Sequence, residues 1–268
     1  MKPSQPRTRW PVTLVGAGPG DPELLTLKAV RAIAAADVIL MDDLVNEEVL
    51  VHARPDARVI RVGKRGGCAS TPQAFIDRLM IQQAHRGLRV VRLKGGDPFI
   101  LGRGGEEIEQ LRAAGLEVDV INGITAGLAA ATALQTALTH RRFAHGVVFI
   151  TGHGAPGQAE PDWVLLGQAA AALKLTLVVY MGITRAADIQ SGLLGALPGA
   201  TPAAVVQHAT LANQRVAVTT LERLVETLVS QGLGSPSIII VGEVLQALAA
   251  LAHADEQASS HGAGRRAA

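Results

Sequence analysis

Cysteine is almost missing from this chain: of 268 residues, one carries a thiol, Cys68. A lone cysteine closes no intrachain disulfide and builds no multi-cysteine zinc or iron–sulfur site, which fits a reducing compartment. Aromatic residues make up only 3%. No aromatic-interleaved basic stretch, zinc-finger spacing or RNA-recognition signature occurs, so nothing supports a nucleic-acid partner. No apolar run reaches the roughly 18–20 residues that span a bilayer. The basic start MKPSQPRTRW has no apolar region of the signal-peptide kind. These absences lead to the expectation of a soluble, cytoplasmic protein without a membrane partner.

What the chain has in quantity is Ala, Val, Leu and Gly, within a hydrophobic share of 48%. That suits an α/β protein, whose buried parallel strands take Val and Ile and whose helices take Ala and Leu. Apolar runs predict strands at Val12–Val15, Val38–Met41, Arg58–Val62, Leu88–Leu93 and Glu117–Ile121. Helices are expected between them, near Pro22–Ala35, Pro72–Arg86 and Gly105–Ala114. Asp21-Pro22 and Thr71-Pro72 supply an N-cap followed by proline at the first helical position, and Gly87 and Gly115 stand where helices stop. The result is a mainly parallel sheet with helices on its faces.

Regularity breaks at the polar, basic stretch LTHRRFAHG. Strands then resume at Val147–Ile150, Leu175–Tyr180, Ala203–Gln207, Arg215–Thr219 and Ile238–Val241, with helices near Asp162–Ala172, Thr184–Ala196 and Leu221–Gln231. Seven residues separate Ala203–Gln207 from Arg215–Thr219. That is too few for a helical crossover, so an antiparallel hairpin and a mixed sheet are expected. The expected division is a disordered start over 1–11, an α/β domain over 12–138, a linker over 139–146, a second α/β domain over 147–252 and a disordered tail over 253–268.

The stretch VGAGPGDPELL begins like a dinucleotide fingerprint, a strand running into Gly16-Ala17-Gly18. It then departs, because Asp21 stands where a third small residue belongs. A carboxylate at the helix start repels a pyrophosphate, whereas a neutral or cationic ligand meets no such obstacle. This argues against a nicotinamide oxidoreductase. Asp42 and Asp43 end the second strand, and Lys64 and Arg65 follow the third within the glycines of VGKRGG. All four fall on the carboxyl edge where open α/β sheets bind ligands. Asp42 and Lys64 form a candidate acid/base pair, the alternative being a plain ion pair.

The densest signal is RLKGGDPFILGRGGEE, Arg92 to Glu107, with five glycines in one strand-to-helix loop. Each glycine costs backbone entropy, so the run points to backbone approaching a ligand. Gly95-Gly96-Asp97 offers backbone groups and a carboxylate to an amine or a ribose hydroxyl. Arg103 meets an acidic substrate or pairs with Glu106 or Glu107. Thr125-Ala126 in NGITAG opens a further small-residue helix. His140 and His153 lack metal-ligand spacing, and no metal is expected.

VGAGPGD, DDLV, VGKR, RLKGGDPFILGRGGEE, GITAG, LTHR, TGH, VVYMG and SPSIIIVGEV occur in this order between about Val12 and Val244. Together they closely resemble the tetrapyrrole methylase family. The resemblance implies two α/β domains with the active site in the cleft between them, and a homodimer. It implies S-adenosylmethionine as methyl donor and uroporphyrinogen III as substrate, methylated at C-2 and C-7 to precorrin-2 on the way to sirohaem or cobalamin. Position by position, Asp42 matches a proton acceptor and Lys64 a proton donor. Pro19, Gly95, Gly96, Asp97, Ile100, Thr125, Ala126 and Met181 match cofactor contacts, with Ala209 and Ser237 approaching through backbone. Arg65, Arg103 and Arg141 are the expected partners of the substrate's carboxylates. S-adenosylmethionine carries a sulfonium and an ammonium but no phosphate, which suits a loop closed by Asp21. Met41, Leu101 and Ala137 depart from the usual tyrosine, phenylalanine and proline of the pattern, on the substrate side. With no dehydrogenase–chelatase sequence before Val12, a stand-alone methyltransferase is expected. The rival readings are a methylase of a later corrin precursor and a non-catalytic tetrapyrrole carrier.

Overall fold

The computed structural model describes residues 10–63, 71–154 and 157–248. The chain divides into two units, residues up to Ala126 and residues from Gly127 onward. The expected tail over 253–268 lies outside the described residues. At the other end Trp10 is already held, with the Arg89 guanidinium 3.6 Å from its ring centroid. Contacts of the fold therefore begin ahead of Val12, inside the stretch expected to be disordered.

The first unit contains β1 (Val12–Gly16), α1 (Leu27–Ala35), β2 (Val38–Met41), β3 (Arg58–Arg61), α2 (Gln73–His85), β4 (Val90–Lys94), α3 (Gly104–Ala113) and β5 (Val118–Ile121). Its strands lie in the order β3-β2-β4-β1-β5, every pair parallel. Alternate residues serve opposite faces: Val12, Leu14, Val38, Leu40 and Val90 pack with α2 and α3, and Val15, Ile39, Met41, Val91 and Leu93 with α1. A strand buried on both faces takes apolar residues at most positions, which is why these strands read as hydrophobic runs, with Arg92 and Lys94 of β4 as exceptions. The step from β1 to β2 runs one way along the sheet and that from β4 to β5 the other. Right-handed crossovers therefore send α1 and α3 to opposite faces.

Gly87 and Gly115 end α2 and α3 as expected, at φ +80 and +78. The Leu88 and Leu116 N–H groups reach back to the Gln83 and Leu111 carbonyls, a Schellman closure in each case. The helix starts differ from expectation. Asp21 caps only a 3-10 turn, Pro22–Leu24, through the Glu23 N–H at 2.9 Å. The chain then extends at Leu25, and Thr26 caps α1 by accepting from Ala29 N. A second capping side chain makes a separate helix start more favourable than one continuous helix. Pro72, expected at N1, is itself the N-cap of α2 in an extended conformation, and Thr71 does not cap.

The second unit is built on β6 (Gly146–Thr151), β7 (Leu175–Tyr180), β8 (Pro202–Gln207), β9 (Arg215–Thr220) and β10 (Ser237–Val241). The order is β6-β7-β10-β8-β9, with β6–β7 parallel and the other pairs antiparallel. The hairpin of β8 and β9 is thus the one that the short spacing required. α4 (Ala126–Ala133) starts at the junction, and α5 (Trp163–Leu173), α6 (Ala186–Leu194) and α7 (Leu224–Ser230) follow. The core of this unit gathers Leu177, Val179, Ile189, Leu193, Val205, Leu221 and Ile239. The sequence suggested a domain change after Leu138. Here Gly127 N donates to Tyr180 Oη at 2.7 Å and Thr176 Oγ1 to the Leu138 carbonyl at 2.8 Å, which ties residues 127–138 to the second sheet.

Candidate active site

In a parallel sheet all strands point one way, so every strand-to-helix loop collects on one edge. At that edge of the first unit the loops after β1 and β4 are joined directly. Gly18 N donates to the Gly96 carbonyl (3.2 Å) and Gly96 N to that of Gly18 (2.7 Å). The loop after β5 presses in just as closely. A Cβ on Gly16 would stand 2.5 Å from Gly123 N and 2.6 Å from the Gly96 oxygen. These glycines allow three backbones to meet where side chains would separate them.

Asp97 fastens the arrangement. Its buried carboxylate accepts from Phe99 N (2.8 Å), Asn122 Nδ2 (3.0 Å) and Gly123 N (3.1 Å). Both oxygens serve the chain's own donors, so Asp97 shapes the loops that flank Gly95 and Gly96. Asn46 adds a tie from the β2 side, its Nδ2 donating to the Gly20 carbonyl at 2.9 Å. Pro19, Gly95, Gly96, Asp97, Ile100 and Thr125 lie in these loops, and Ala126 opens α4 directly after the last of them. The first unit thus brings its share of the expected cofactor residues together.

Asp42 stands just past β2 on the same edge. Its Oδ1 takes Arg92 Nη2 at 2.6 Å, and its Oδ2 lies 3.8 Å from Lys94 Nζ. Behind it Glu107, fully buried on α3, accepts from Arg92 Nε at 3.0 Å, Lys94 Nζ at 3.1 Å and Gln73 Nε2 at 3.1 Å, all through Oε1. Lys94 is also 3.1 Å from Glu107 Oε2, but outside hydrogen-bonding geometry. Burial and the neighbouring Arg92 draw the Lys94 ammonium below its ordinary range, against the pull of Glu107 and Asp42.

Asp42 was an expected site residue, but its partners Arg92, Lys94 and Glu107 were not. A signal existed: Arg92 and Lys94 stand two apart in the otherwise apolar VVRLK, so both charges point to the face that α3 covers. Arg103 adopts φ +59 at the start of α3 and pairs with Glu106 at 2.6 Å, both exposed. The sequence offered pairing with Glu106 or Glu107 beside substrate binding, and of the two glutamates it is Glu106 that Arg103 meets. Lys64 and Arg65 lie outside the described residues.

In the second unit Met181 follows β7, Ala209 follows β8 and Ser237 opens β10. Since β10 runs antiparallel to both neighbours, the three meet at one end of that sheet. Met181 is exposed there with φ +54. Arg141 precedes β6, which runs parallel to β7, so it belongs to the other end. Among the described residues no group of three or more His, Cys, Asp or Glu is placed to hold a metal ion, and no helix is long and apolar enough to cross a membrane.

The phosphate-free character of the expected donor fits the first unit. Asp21 occupies the start of its 3-10 turn and Thr26 the start of α1, so neither helix start after β1 is open to a phosphate. Comparison with known proteins agrees. Residues 11–225 match the family model described as Tetrapyrrole (Corrin/Porphyrin) Methylases. A uroporphyrinogen-III C-methyltransferase of Pseudomonas aeruginosa is 53% identical over 234 residues, covering 87% of this chain and 93% of the relative. Siroheme synthase 2 of Aeromonas hydrophila is 49% identical over 235 residues, 87% of this chain but only 49% of that protein, so the chain spans about half of it. The uroporphyrin-III C-methyltransferase of Thermus thermophilus, solved with S-adenosylhomocysteine, superposes with a TM-score of 0.75 at 39% identity, covering 88% of this chain and 94% of that one. Glycine loops at the carboxyl edge of a parallel sheet, in a chain that also carries a mixed sheet, are therefore this chain's version of a shared architecture: it belongs to the tetrapyrrole methylase family.

Proposed function

We propose that the chain is an S-adenosylmethionine-dependent C-methyltransferase that methylates uroporphyrinogen III at C-2 and C-7, giving precorrin-2 and S-adenosylhomocysteine for sirohaem or cobalamin formation. The observation that carries this reading is the 53% identity to a uroporphyrinogen-III C-methyltransferase over nearly the full length of both chains.

The chemistry asks for placement more than activation. The donor's sulfonium makes the methyl group electrophilic. A pyrrole carbon supplies the electron pair, one C–C bond forms, one C–S bond breaks, and neutral S-adenosylhomocysteine leaves. Proximity and alignment are then the main sources of rate. Each methyl cation gained by the macrocycle must be balanced by loss of a proton. Asp42, a partly exposed carboxylate at the sheet edge, is our candidate acceptor, and Lys64 the donor. Within the first unit Gly95, Gly96, Thr125 and Ala126 are candidate contacts of the methyl donor; within the second, Met181, Ala209 and Ser237 are. Arg103 exchanges the Glu106 carboxylate for one of the substrate's, and Arg65 is a second candidate partner; Arg141, at the opposite end of its sheet from Met181, is not assigned to the same site. The working form is a cytoplasmic homodimer, which the lone Cys68 and the family resemblance support.

Anaerobic incubation with enzymatically generated uroporphyrinogen III and methyl-labelled S-adenosylmethionine, followed by mass analysis, tests the reaction. Gain of two labelled methyls is expected. Cofactor binding without methyl gain moves the substrate to a later corrin precursor, and no cofactor binding leaves a tetrapyrrole carrier.

A further inference from the structure

The Arg92–Lys94–Glu107–Asp42 cluster carries a role that neither the loops nor the cofactor explains. Its members differ sharply in access: the side chains of Glu107, Arg92 and Lys94 are 0%, 2% and 4% exposed, that of Asp42 29%. Three charges are sunk under α3, and the fourth reaches the surface at the carboxyl edge. Two cations face two carboxylates, so these four are neutral as a set, and burial favours the uncharged form of Asp77, the further carboxyl beside Glu107. Glu107 Oε1 draws both cations inward, taking Arg92 Nε and Lys94 Nζ. Arg92 has further acceptors in the Leu40 and Leu93 carbonyls at 3.4 and 3.3 Å, which fix its guanidinium plane. Only Nη2 then reaches Asp42 Oδ1, and Lys94 stops 3.8 Å short of Oδ2.

We propose that Glu107 is a positioning residue that holds Arg92 and Lys94 back, so that Asp42 is oriented through one oxygen while the other stays available to the substrate. Without the Glu107 charge the cluster carries a net positive charge, and Lys94 loses the charge–charge attraction that restrains it. The nearest remaining carboxylate is Asp42, so Lys94 closes on Oδ2 and covers the oxygen that the reaction uses. This rests on the reading of Asp42 as the group that meets the substrate, and the test separates the two.

The variant Glu107→Gln keeps the size and an acceptor oxygen but removes the charge. Its crystal structure is expected to show Lys94 Nζ in contact with Asp42 Oδ2, a result independent of any reaction; an unmoved cluster overturns the proposal. In turnover, kcat is expected to fall on the order of 10- to 100-fold, as small misplacements of a reacting group do, with S-adenosylmethionine affinity unchanged by calorimetry. In an Asp42→Asn background the same change is expected to cost nothing further, and an equal loss there overturns the proposal. The pair Glu107→Gln with Lys94→Met restores neutrality and is expected to recover most of the rate and of the native stability. Failure of that rescue, in a protein that folds, also overturns it. If Asp42→Asn alone leaves turnover intact, the reading of Asp42 fails, and the crystal structure still decides the place of Glu107.

Discussion

Asp77 lies on α2 against the buried cluster, 7% exposed, with the Gln73 amide 3.0 Å from its Oδ1. Burial raises its carboxyl above the ordinary 3.8; the Gln73 hydrogen bond opposes this and the Glu107 charge adds to it. The sign of the stability effect follows. Between the unfolded and folded values the native chain holds the extra proton, so stability falls as pH rises through that window. Asp77→Asn is expected to remove that part of the slope. Urea midpoints of both proteins from below pH 4 upward check it, and parallel profiles would refute it. The same residue-scale physics explains why such groups escape a reading of the sequence. A charged residue in a helix reads as solvated surface by default, and only the packing of α3 on the sheet reveals that Glu107 is inside.

At the scale of elements, the loops after β4 and β5 are joined by one carboxylate. Asp97→Asn keeps the shape but replaces an acceptor oxygen with an NH₂ facing the Phe99 N–H on one side or the Asn122 and Gly123 donors on the other. Hydrogen bonds to a charged group contribute roughly 1.5–3 kcal/mol each, and a buried donor left facing a donor adds to the loss. The expected outcome is a destabilisation of about 2 kcal/mol or more by urea unfolding, together with weaker S-adenosylmethionine binding by calorimetry. Unchanged affinity would show that the loops keep their shape without the carboxylate. Strand positions were largely legible, because strands buried on both faces are mostly apolar along their length. Helix starts were less so, since Asp21, Thr26 and Thr71 are all competent caps and the chain's path chooses among them.

For the whole molecule, the expected donor and its product bind the native chain and not the unfolded one. S-adenosylhomocysteine at about 100 times its dissociation constant should stabilise by about 2.7 kcal/mol. A rise in the urea midpoint with ligand concentration checks this, and a flat response would count against a preformed site. The family and the phosphate-free donor were legible in the sequence, because glycines, caps and charges recur at fixed spacings along one chain. So were the parallel character of the first sheet, though not its strand order, and the β8–β9 hairpin, because connection length restricts topology. The tertiary structure alone decided which charges are buried. It also decided that Asp97 serves Asn122 and Gly123, that Asp42 answers to Arg92, and that Arg141 falls at the far end of its sheet from Met181. Those pairings join residues far apart in the chain, and no local spacing encodes them.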